Sequence, residues 1–208
     1  IYAFRMATTS KEAQANARVR SAVTRAYAEI AEWLGRLPLR KGATPLRYLP
    51  TYEQWIYDVL THGDYDDYWR QRGYAISHYY DEHADVPTYY IGSWYDSYAR
   101  NTCENFIALS KRKRSLHKLI MGPWTKGGPE LSYAGDVEFG PQAKLDDLNY
   151  FHKRWFDYAL MGINNGIAEE PPVIIFVMGG GSGRRDANGR LQHGGYWRFE
   201  REWPLACT

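Results

Sequence analysis

The sequence has little cysteine, no long apolar run and little excess of either charge, and each shortage excludes a class of protein. Its two cysteines, Cys103 and Cys207, form neither a metal-binding spacing nor a disulfide framework. No apolar run approaches the ~20 residues that a membrane helix needs, so no membrane partner is expected. A formal charge of +2 is too small to indicate a nucleic-acid partner. An ordinary globular chain is expected.

Helical patterns dominate the first third of the chain. Thr9 and Glu12 have the spacing of a capping box, and apolar residues then recur three and four apart over 19–37. A second helix follows a Pro-bearing loop, and a third, short helix is predicted over 65–72. These helices carry too little apolar surface for an independent bundle. We therefore predict that residues 1–86 form a helical cap.

After Val86 the pattern changes to two apolar runs separated by a helical segment. "VPTYYIGSW" and "HKLIMGPW" each have the length of a buried strand, and "RNTCENFIALSKR" between them has helical spacing. A βαβ unit makes its two strands parallel, so the loops that follow them emerge at the same edge of the sheet. Ligands bind in the crevice outside such strand ends. Asp96 and the "GPWTKGG" segment are therefore predicted to face one crevice.

The rest of the chain predicts an α/β class with an all-β addition. A long helix is expected over 141–160, closed by Gly162, and a linker rich in Asn, Gly and Pro follows it. Beyond about residue 170 the pattern is strand, hairpin loop and strand. The predicted boundaries are 1–86 for the cap, 87–168 for the α/β part and 169–208 for the beginning of a β module.

Several motifs in order carry a resemblance to a known family: "GSWYDSY", "LIMGPWTKGG", "GDVEFGPQA", "KRWFDYALMGINNG", "PPVIIFVMG" and "GYWRFEREWPL". They resemble the cocaine-esterase-type α/β-hydrolases, relatives of the X-prolyl dipeptidyl aminopeptidases. The resemblance implies that 87–168 is the C-terminal part of an α/β-hydrolase domain and that 169–208 begins a jelly-roll β-sandwich. It also implies that the chain is the middle piece of a longer protein, for which a cytoplasmic location is expected.

The resemblance gives Asp96 a role as the acid of a Ser-His-Asp triad. In such enzymes the acid follows a late strand, orients the imidazole and stabilises the imidazolium that forms during the reaction. The alternative is that Asp96 caps the helix predicted to begin near Asn101. It stands several residues too early to be the natural cap of that helix.

Two parts of a triad are missing from the sequence. No G-x-S-x-G elbow occurs, so the nucleophile is expected upstream of Ile1 and this chain alone is expected to be inactive. Lys126 stands where the family motif "GPW-[ST]-H" has its histidine. A lysine base would need its pKa of about 10.4 lowered by roughly three units. Asp96 nearby would oppose that shift, so an Asp96–Lys126 ion pair is expected.

Other clusters predict less. The acidic residues of "HGDYDDYW", near His62, suit a helix N-terminus better than a metal site. The segment "GGGSGRR" lacks the Lys-Ser/Thr that follows a phosphate-binding loop, and it suits a hairpin. No metal and no cofactor are expected. His117 begins the strand that ends near Lys126, His152 is on a helix and His193 is in the β module. None of these three is placed by the sequence at the crevice.

Four aromatic residues flank the two crevice loops, and they suit either a substrate pocket or packing at its rim: Trp94, Tyr95, Tyr98 and Trp124. Two classes of function follow. The first is a fragment of a serine hydrolase that cleaves ester or amide bonds, with a small ester, amide or short peptide as substrate. The second is a catalytically inactive relative with a binding or structural role. In both, the expected partner is the remainder of the polypeptide, and homo-oligomerisation is left open.

Overall fold

A computed structural model describes residues 1–145 and 147–206 of the chain. Cys207 lies outside these ranges. The chain divides into two compact units, Ile1–Ala75 and Ile76–Thr208. Within the described ranges, no helix has the length and apolar character that crossing a membrane requires. The predicted three-part division stays a prediction.

The first unit is helical, and side chains from several of its helical segments pack together as its core. Phe4, Val23 and Leu46 are among the side chains buried there. The helices are α1 (Tyr2–Ala7), α2 (Lys11–Ala15), α3 (Ala17–Ala28), α4 (Ile30–Leu34) and α5 (Pro50–Thr61), with a 3₁₀ turn at Pro45–Tyr48 before α5.

Two helix predictions in this unit need correction. The cap is one residue later than predicted, because the Ser10 hydroxyl, and not that of Thr9, accepts the N–H of Ala13 at 3.1 Å. The apolar stripe over 19–37 belongs to two helices, because Glu29 leaves the helical conformation at φ −94° and ψ 25°. Apolar residues can keep a spacing of three and four across such a break, so their spacing alone does not reveal where one helix ends and the next begins.

The short helix predicted over 65–72 is wrong, because that described segment forms turns. Asp66 explains this. One oxygen of its carboxylate accepts the N–H of Tyr68 at 3.0 Å, and the other lies 2.5 Å from His62 Nδ1. A side chain that satisfies nearby backbone groups in this way competes with helix formation.

The second unit is built on a four-stranded sheet with a crossover helix. Its main elements are β1 (Thr88–Tyr95), α6 (Ala99–Arg112), β2 (His117–Thr125), α7 (Leu148–Met161), β5 (Val173–Met178) and β7 (Gly195–Glu200). A smaller sheet contains β3 (Tyr133–Ala134), β4 (Val137–Glu138) and β6 (Leu191–Gln192). Strands β1, β2 and β5 are parallel, and β7 is antiparallel to β5. The predicted βαβ unit and the α/β class are confirmed.

The strands expected after residue 170 extend this same sheet, whose order is β1-β2-β5-β7. A jelly-roll beginning at 169–208 stays a prediction. The long helix predicted over 141–160 begins later, at Leu148, because the Asp147 side chain accepts the N–H of Tyr150 and caps it there. It ends as predicted at Gly162, which has a φ of 66°. Residues Pro141–Ala143 form a separate 3₁₀ turn.

The starts of β1 and β2 are held together by Asp85. Its carboxylate accepts the N–H groups of Arg114 and Ser115 and the Ser115 hydroxyl, the last at 2.6 Å. These hydrogen bonds, led by that of the Ser115 side chain, lower the pKa of Asp85 to about 2. Just beyond, the Thr88 N–H donates to the Leu116 carbonyl at 2.9 Å. Together these bonds set the register at which the two strands begin.

Helix α6 lies close against β1 at Gly92. A β-carbon at this position would come within 2.4 Å of Met121 Sδ and 2.9 Å of Thr102 Cγ2. Met121 is fully buried, and the β-branched Thr102 belongs to α6. Neither can move away freely, so glycine is required by the close approach of helix and strand.

We predict that Gly92→Ala lowers the free energy of unfolding by about 1–3 kcal/mol, the usual effect of overpacking a filled site. Gly73→Ala is the matched control, because a β-carbon there meets nothing within 4 Å. Chemical denaturation of the protein that carries this chain measures both. Equal effects of the two substitutions would contradict the packing described at Gly92.

Candidate active site

Asp96 and Lys126 directly follow the paired ends of two parallel strands. Strands β1 and β2 pair from Thr88↔His117 onward, and Tyr95↔Thr125 is their last pair. Because the strands are parallel, both loops leave the same edge of the sheet. The prediction that the two loops emerge at the same edge of the sheet is therefore confirmed.

An irregularity near the end of β2 determines which residues are aligned. The register shifts between Ser93 and Tyr95, because Ser93 pairs with Gly122 while Tyr95 pairs with Thr125. Strand β2 thus contains one more residue than β1 over this stretch, the arrangement of a β-bulge. Pro123 lies within it and, because it has no N–H, cannot donate to the ladder. Without the extra residue, Asp96 would align with Thr125 and not with Lys126.

Asp96 is half-buried and shapes the turn that leads into α6. One carboxylate oxygen accepts the N–H of Tyr98 at 3.1 Å, and its carbonyl accepts the N–H of Ala99 at 3.1 Å. Tyr98 is the N-cap residue, so Asp96 bonds to a group before the helix and not to the first-turn donors that a cap satisfies. Within the described chain, its Oδ2 accepts no hydrogen bond. That oxygen is available to another donor.

Lys126 does not form the expected ion pair with Asp96. Its ammonium nitrogen lies 4.3 Å from the centroid of the Tyr98 ring, in a cation–π contact. The backbone directs it there, because the Gly128 N–H closes a turn onto the Thr125 carbonyl at 3.0 Å and Gly127 has a φ of 75°. No ion pair joins Asp96 and Lys126 among the residues described.

Tyr98 therefore connects the two residues that sequence analysis singled out. Its backbone N–H donates to Asp96, and its ring contacts the ammonium of Lys126. The side chain is 51% exposed, and an exposed contact of this kind contributes about 0.5–1 kcal/mol. The weak contact leaves Lys126 able to change position.

The two tryptophans among the predicted substrate residues are fixed within the chain. The Trp94 indole N–H donates to the Phe176 carbonyl at 2.9 Å. Trp124 is only 1% exposed and donates to the Ala143 carbonyl at 2.7 Å. Both side chains use their one donor for internal bonds, as rim packing requires.

The two tyrosines are more accessible. Tyr95 is exposed and its ring lies 5.9 Å from that of Phe139, while Tyr98 is exposed beside Lys126. The four predicted side chains thus divide into two that pack and two that face outward. A contact of any of them with substrate stays a prediction.

The other histidines lie away from this edge. His117 begins β2, eight residues before Thr125, so roughly 26 Å of strand separate them. His152 is on α7, and His193 follows β6, with its ring 6.2 Å from Phe139. None of the three immediately follows β1 or β2.

His117 is buried as a neutral ring. It is 5% exposed, its Nδ1 lies 3.0 Å from the Tyr90 hydroxyl, and its Nε2 has no partner in the described chain. Burial lowers the pKa of His117 from its ordinary value of 6.5, although Asp85 opposes the shift. Protonation is therefore easier in the unfolded chain than in the folded one.

We predict that stability falls as pH drops below about 6.5, because the unfolded state then binds a proton that the folded state resists. At higher pH both states hold a neutral ring and this loss disappears. This prediction is tested by thermal unfolding of the parent protein and of His117→Gln at several pH values between about 5 and 8. A pH dependence in this range that is the same in both proteins would contradict the assignment.

His62 and its acidic neighbours form a local contact network. Besides its bond to Asp66, the His62 ring stacks on Tyr68 with centroids 4.4 Å apart, and its carbonyl accepts the Trp69 N–H at 2.7 Å. Across 1–145 and 147–206, no three His, Cys, Asp or Glu side chains gather in a way that could hold a metal ion.

The chain belongs to the X-Pro dipeptidyl-peptidase (S15) family, whose sequence profile matches residues 2–127, more than half of its length. This match includes the two strand ends that carry Asp96 and Lys126. It confirms the family resemblance inferred from the motifs.

Three comparisons show individual proteins to which the chain is similar. The cocaine esterase of Rhodococcus sp. (strain MB1 Bresler) is 26% identical over 195 residues, which cover 88% of this chain and 29% of that protein. Two structures of a CocE/NonD family hydrolase from Staphylococcus aureus are 21% and 19% identical and cover 74% and 73% of this chain, with TM-scores of 0.46 and 0.44. The chain spans less than a third of these relatives, since it covers only 22% of each solved chain.

Proposed function

We propose that this chain is part of a serine hydrolase that cleaves ester or amide bonds, including acyl or Xaa-Pro peptide bonds. Asp96 acts as the acid of the triad, and Lys126 holds the position of the base. Membership of the S15 family supports the reaction class. The observation that carries the proposal is that both residues directly follow the last residue pair of two parallel strands, Tyr95↔Thr125.

The free Oδ2 of Asp96 supports the role of acid. A triad acid accepts the Nδ1–H of the imidazole, which fixes the tautomer and stabilises the imidazolium. The hydrogen bond of Oδ1 to the Tyr98 N–H orients the carboxylate and leaves the second oxygen for that task.

The nucleophile of this proposal lies outside the 208 residues. No G-x-S-x-G sequence occurs among them, and an acyl transfer needs both a nucleophile and donors for the oxyanion. Tyr95 and Tyr98 are the proposed substrate contacts, because they are exposed beside the strand ends. Trp94 and Trp124 act as supporting walls.

The second candidate function is that of a catalytically inactive binding or structural relative. Lys126 favours it, because its side chain lies on the Tyr98 ring and no imidazole stands at this position to accept the proton of a serine. The two candidates therefore differ at this one residue. Restoring an imidazole there separates them.

We predict that Lys126→His in the full protein raises the rate of hydrolysis of a nitrophenyl ester at least about a hundredfold, the lower range of general-base catalysis. Asp96→Asn in that background removes most of the gain, because an amide favours the wrong imidazole tautomer. Steady-state assays of the parent, both single variants and the double variant at about pH 7.5 measure both effects.

Lys126→Gln is the matched control, since it removes the charge without supplying a base, and it should leave the rate near that of the parent. A parent protein as fast as the Lys126→His variant would contradict the inactive alternative and would require an unprotonated lysine. A Lys126→His variant that stays as slow as Lys126→Gln would contradict the triad proposal.

The proposed position of the nucleophile gives a separate prediction. A fluorophosphonate probe, applied to the full-length Lys126→His variant, should label one serine outside these 208 residues. Peptide mapping by mass spectrometry locates the modified residue. A labelled serine within the chain described here would overturn the assignment of an external nucleophile.

A further inference from the structure

A row of aromatic rings joins the two strand ends that precede Asp96 and Lys126. Neighbouring rings in this row have centroids between 5.2 and 6.0 Å apart, a separation at which aromatic pairs attract each other. The row begins at the end of β1 and finishes at the end of β2. We refer to it as the aromatic row, whose members in order are Tyr95, Phe139, Phe176, Trp197 and Trp124.

Trp197 is the member of the aromatic row that sequence analysis did not connect with the site. It lies on β7, in the part of the chain predicted to begin a separate β module, and pairs with Phe176 of β5. Its ring lies 5.6 Å from that of Trp124, and its indole N–H donates to the Gln142 carbonyl at 2.7 Å. Strand β7 is therefore attached both to the end of β2 and to the turn Pro141–Ala143.

The loop that follows β2 is held at both of its sides by one segment, 142–145. Before the loop, the Trp124 indole N–H donates to the Ala143 carbonyl at 2.7 Å. After it, the Leu145 N–H donates to the Pro129 carbonyl at 2.7 Å. The candidate base position lies between these two attachments. A displacement of the segment would therefore displace that position as well.

The segment is in turn held by β7. Besides accepting the bond from Trp197, Gln142 donates its side-chain amide to the Phe139 carbonyl at 2.8 Å and to the Gly195 carbonyl at 3.2 Å. The Ala143 side chain is fully buried in the small core that also contains the two phenylalanines of the aromatic row. The location of the segment therefore depends on contacts with β7.

We propose that Trp197 is a positioning residue of the candidate active site. Through the aromatic row and the segment 142–145, it fixes the loop that carries position 126 relative to Asp96. Its ring packs on Trp124 while its N–H holds Gln142, so both parts of the indole contribute. Trp197 acts through these contacts and takes no part in the chemistry. This role rests on the proposed function, in which position 126 and Asp96 act together.

An NMR titration of the imidazole introduced by Lys126→His, with isotope-labelled histidine in the full protein, tests this role without requiring turnover. A carboxylate beside an imidazole raises its pKa by favouring the imidazolium, so Asp96→Asn gives the value expected when that interaction is lost. Trp197→Phe keeps a ring against Trp124 and removes the N–H that holds Gln142. We expect Trp197→Phe to lower the pKa of this imidazole by about 0.5, because the loop moves away from Asp96.

Two further variants sharpen the titration. Gln142→Met, at an exposed side chain whose replacement does not disturb the core, removes the amide donors of the same tether and should lower the pKa in the same direction. Tyr196→Phe is the matched control. It removes a polar group from the exposed neighbour of Trp197, whose side chain points to the other face of β7, and it should leave the pKa unchanged.

Ester hydrolysis by the same proteins gives a second readout. In the Lys126→His background, Trp197→Phe should lower kcat about tenfold with little change in KM, because a misplaced base affects the transition state more than substrate binding. An inactive Lys126→His protein whose imidazole pKa still falls with Trp197→Phe would contradict the proposed function and support the positioning role.

The positioning role is overturned if the imidazole pKa responds to Asp96→Asn but is unchanged in both Trp197→Phe and Gln142→Met. An imidazole pKa that Asp96→Asn also leaves unchanged would overturn the triad arrangement and the positioning role together. A change in Tyr196→Phe as large as that in Trp197→Phe would show a general effect of β7 and would likewise contradict the assignment to the indole.

Discussion

The parallel pairing of β1 with β2 is the constraint on which the candidate site depends. Asp85 joins the beginnings of the two strands through the backbone of Arg114 and Ser115, and the register Thr88↔His117 follows. The bulge at Pro123 then adds one residue to β2, so that Asp96 and Lys126 leave the sheet side by side. A change of one residue at either point would separate the acid from its partner position.

The sequence predicted the elements that rest on strong local patterns. The βαβ unit was clear because two apolar runs enclose one amphipathic helix, and the end of α7 was clear because Gly162 can adopt a positive φ. The bulge was not predictable, since Pro123 in an apolar run is compatible with several registers. The contact of Lys126 with Tyr98 depends on the Gly127 turn, whose direction the sequence does not specify.

Buried polar groups were the other features that sequence analysis missed. Lys118 lies in an apolar run. Nothing in the local pattern indicates that its ammonium pairs with the carboxylate of Glu170, 52 residues later. The same holds for the pairing of Arg154 with Glu170. Such partners are brought together only by the fold, through the packing of α7 on the sheet. Their cost of burial is offset because each cation is hydrogen-bonded and shares a carboxylate.

The most direct test of the triad assignment is a crystal structure of the full protein carrying Lys126→His. The account predicts that the Nδ1 of the imidazole at position 126 lies about 2.6–3.2 Å from Asp96 Oδ2, while Oδ1 keeps its hydrogen bond to the Tyr98 N–H. The Nε2 atom would then face the space in which a nucleophile must lie. An imidazole stacked on Tyr98, with Oδ2 still lacking a partner, would contradict the assignment of Asp96 as the acid.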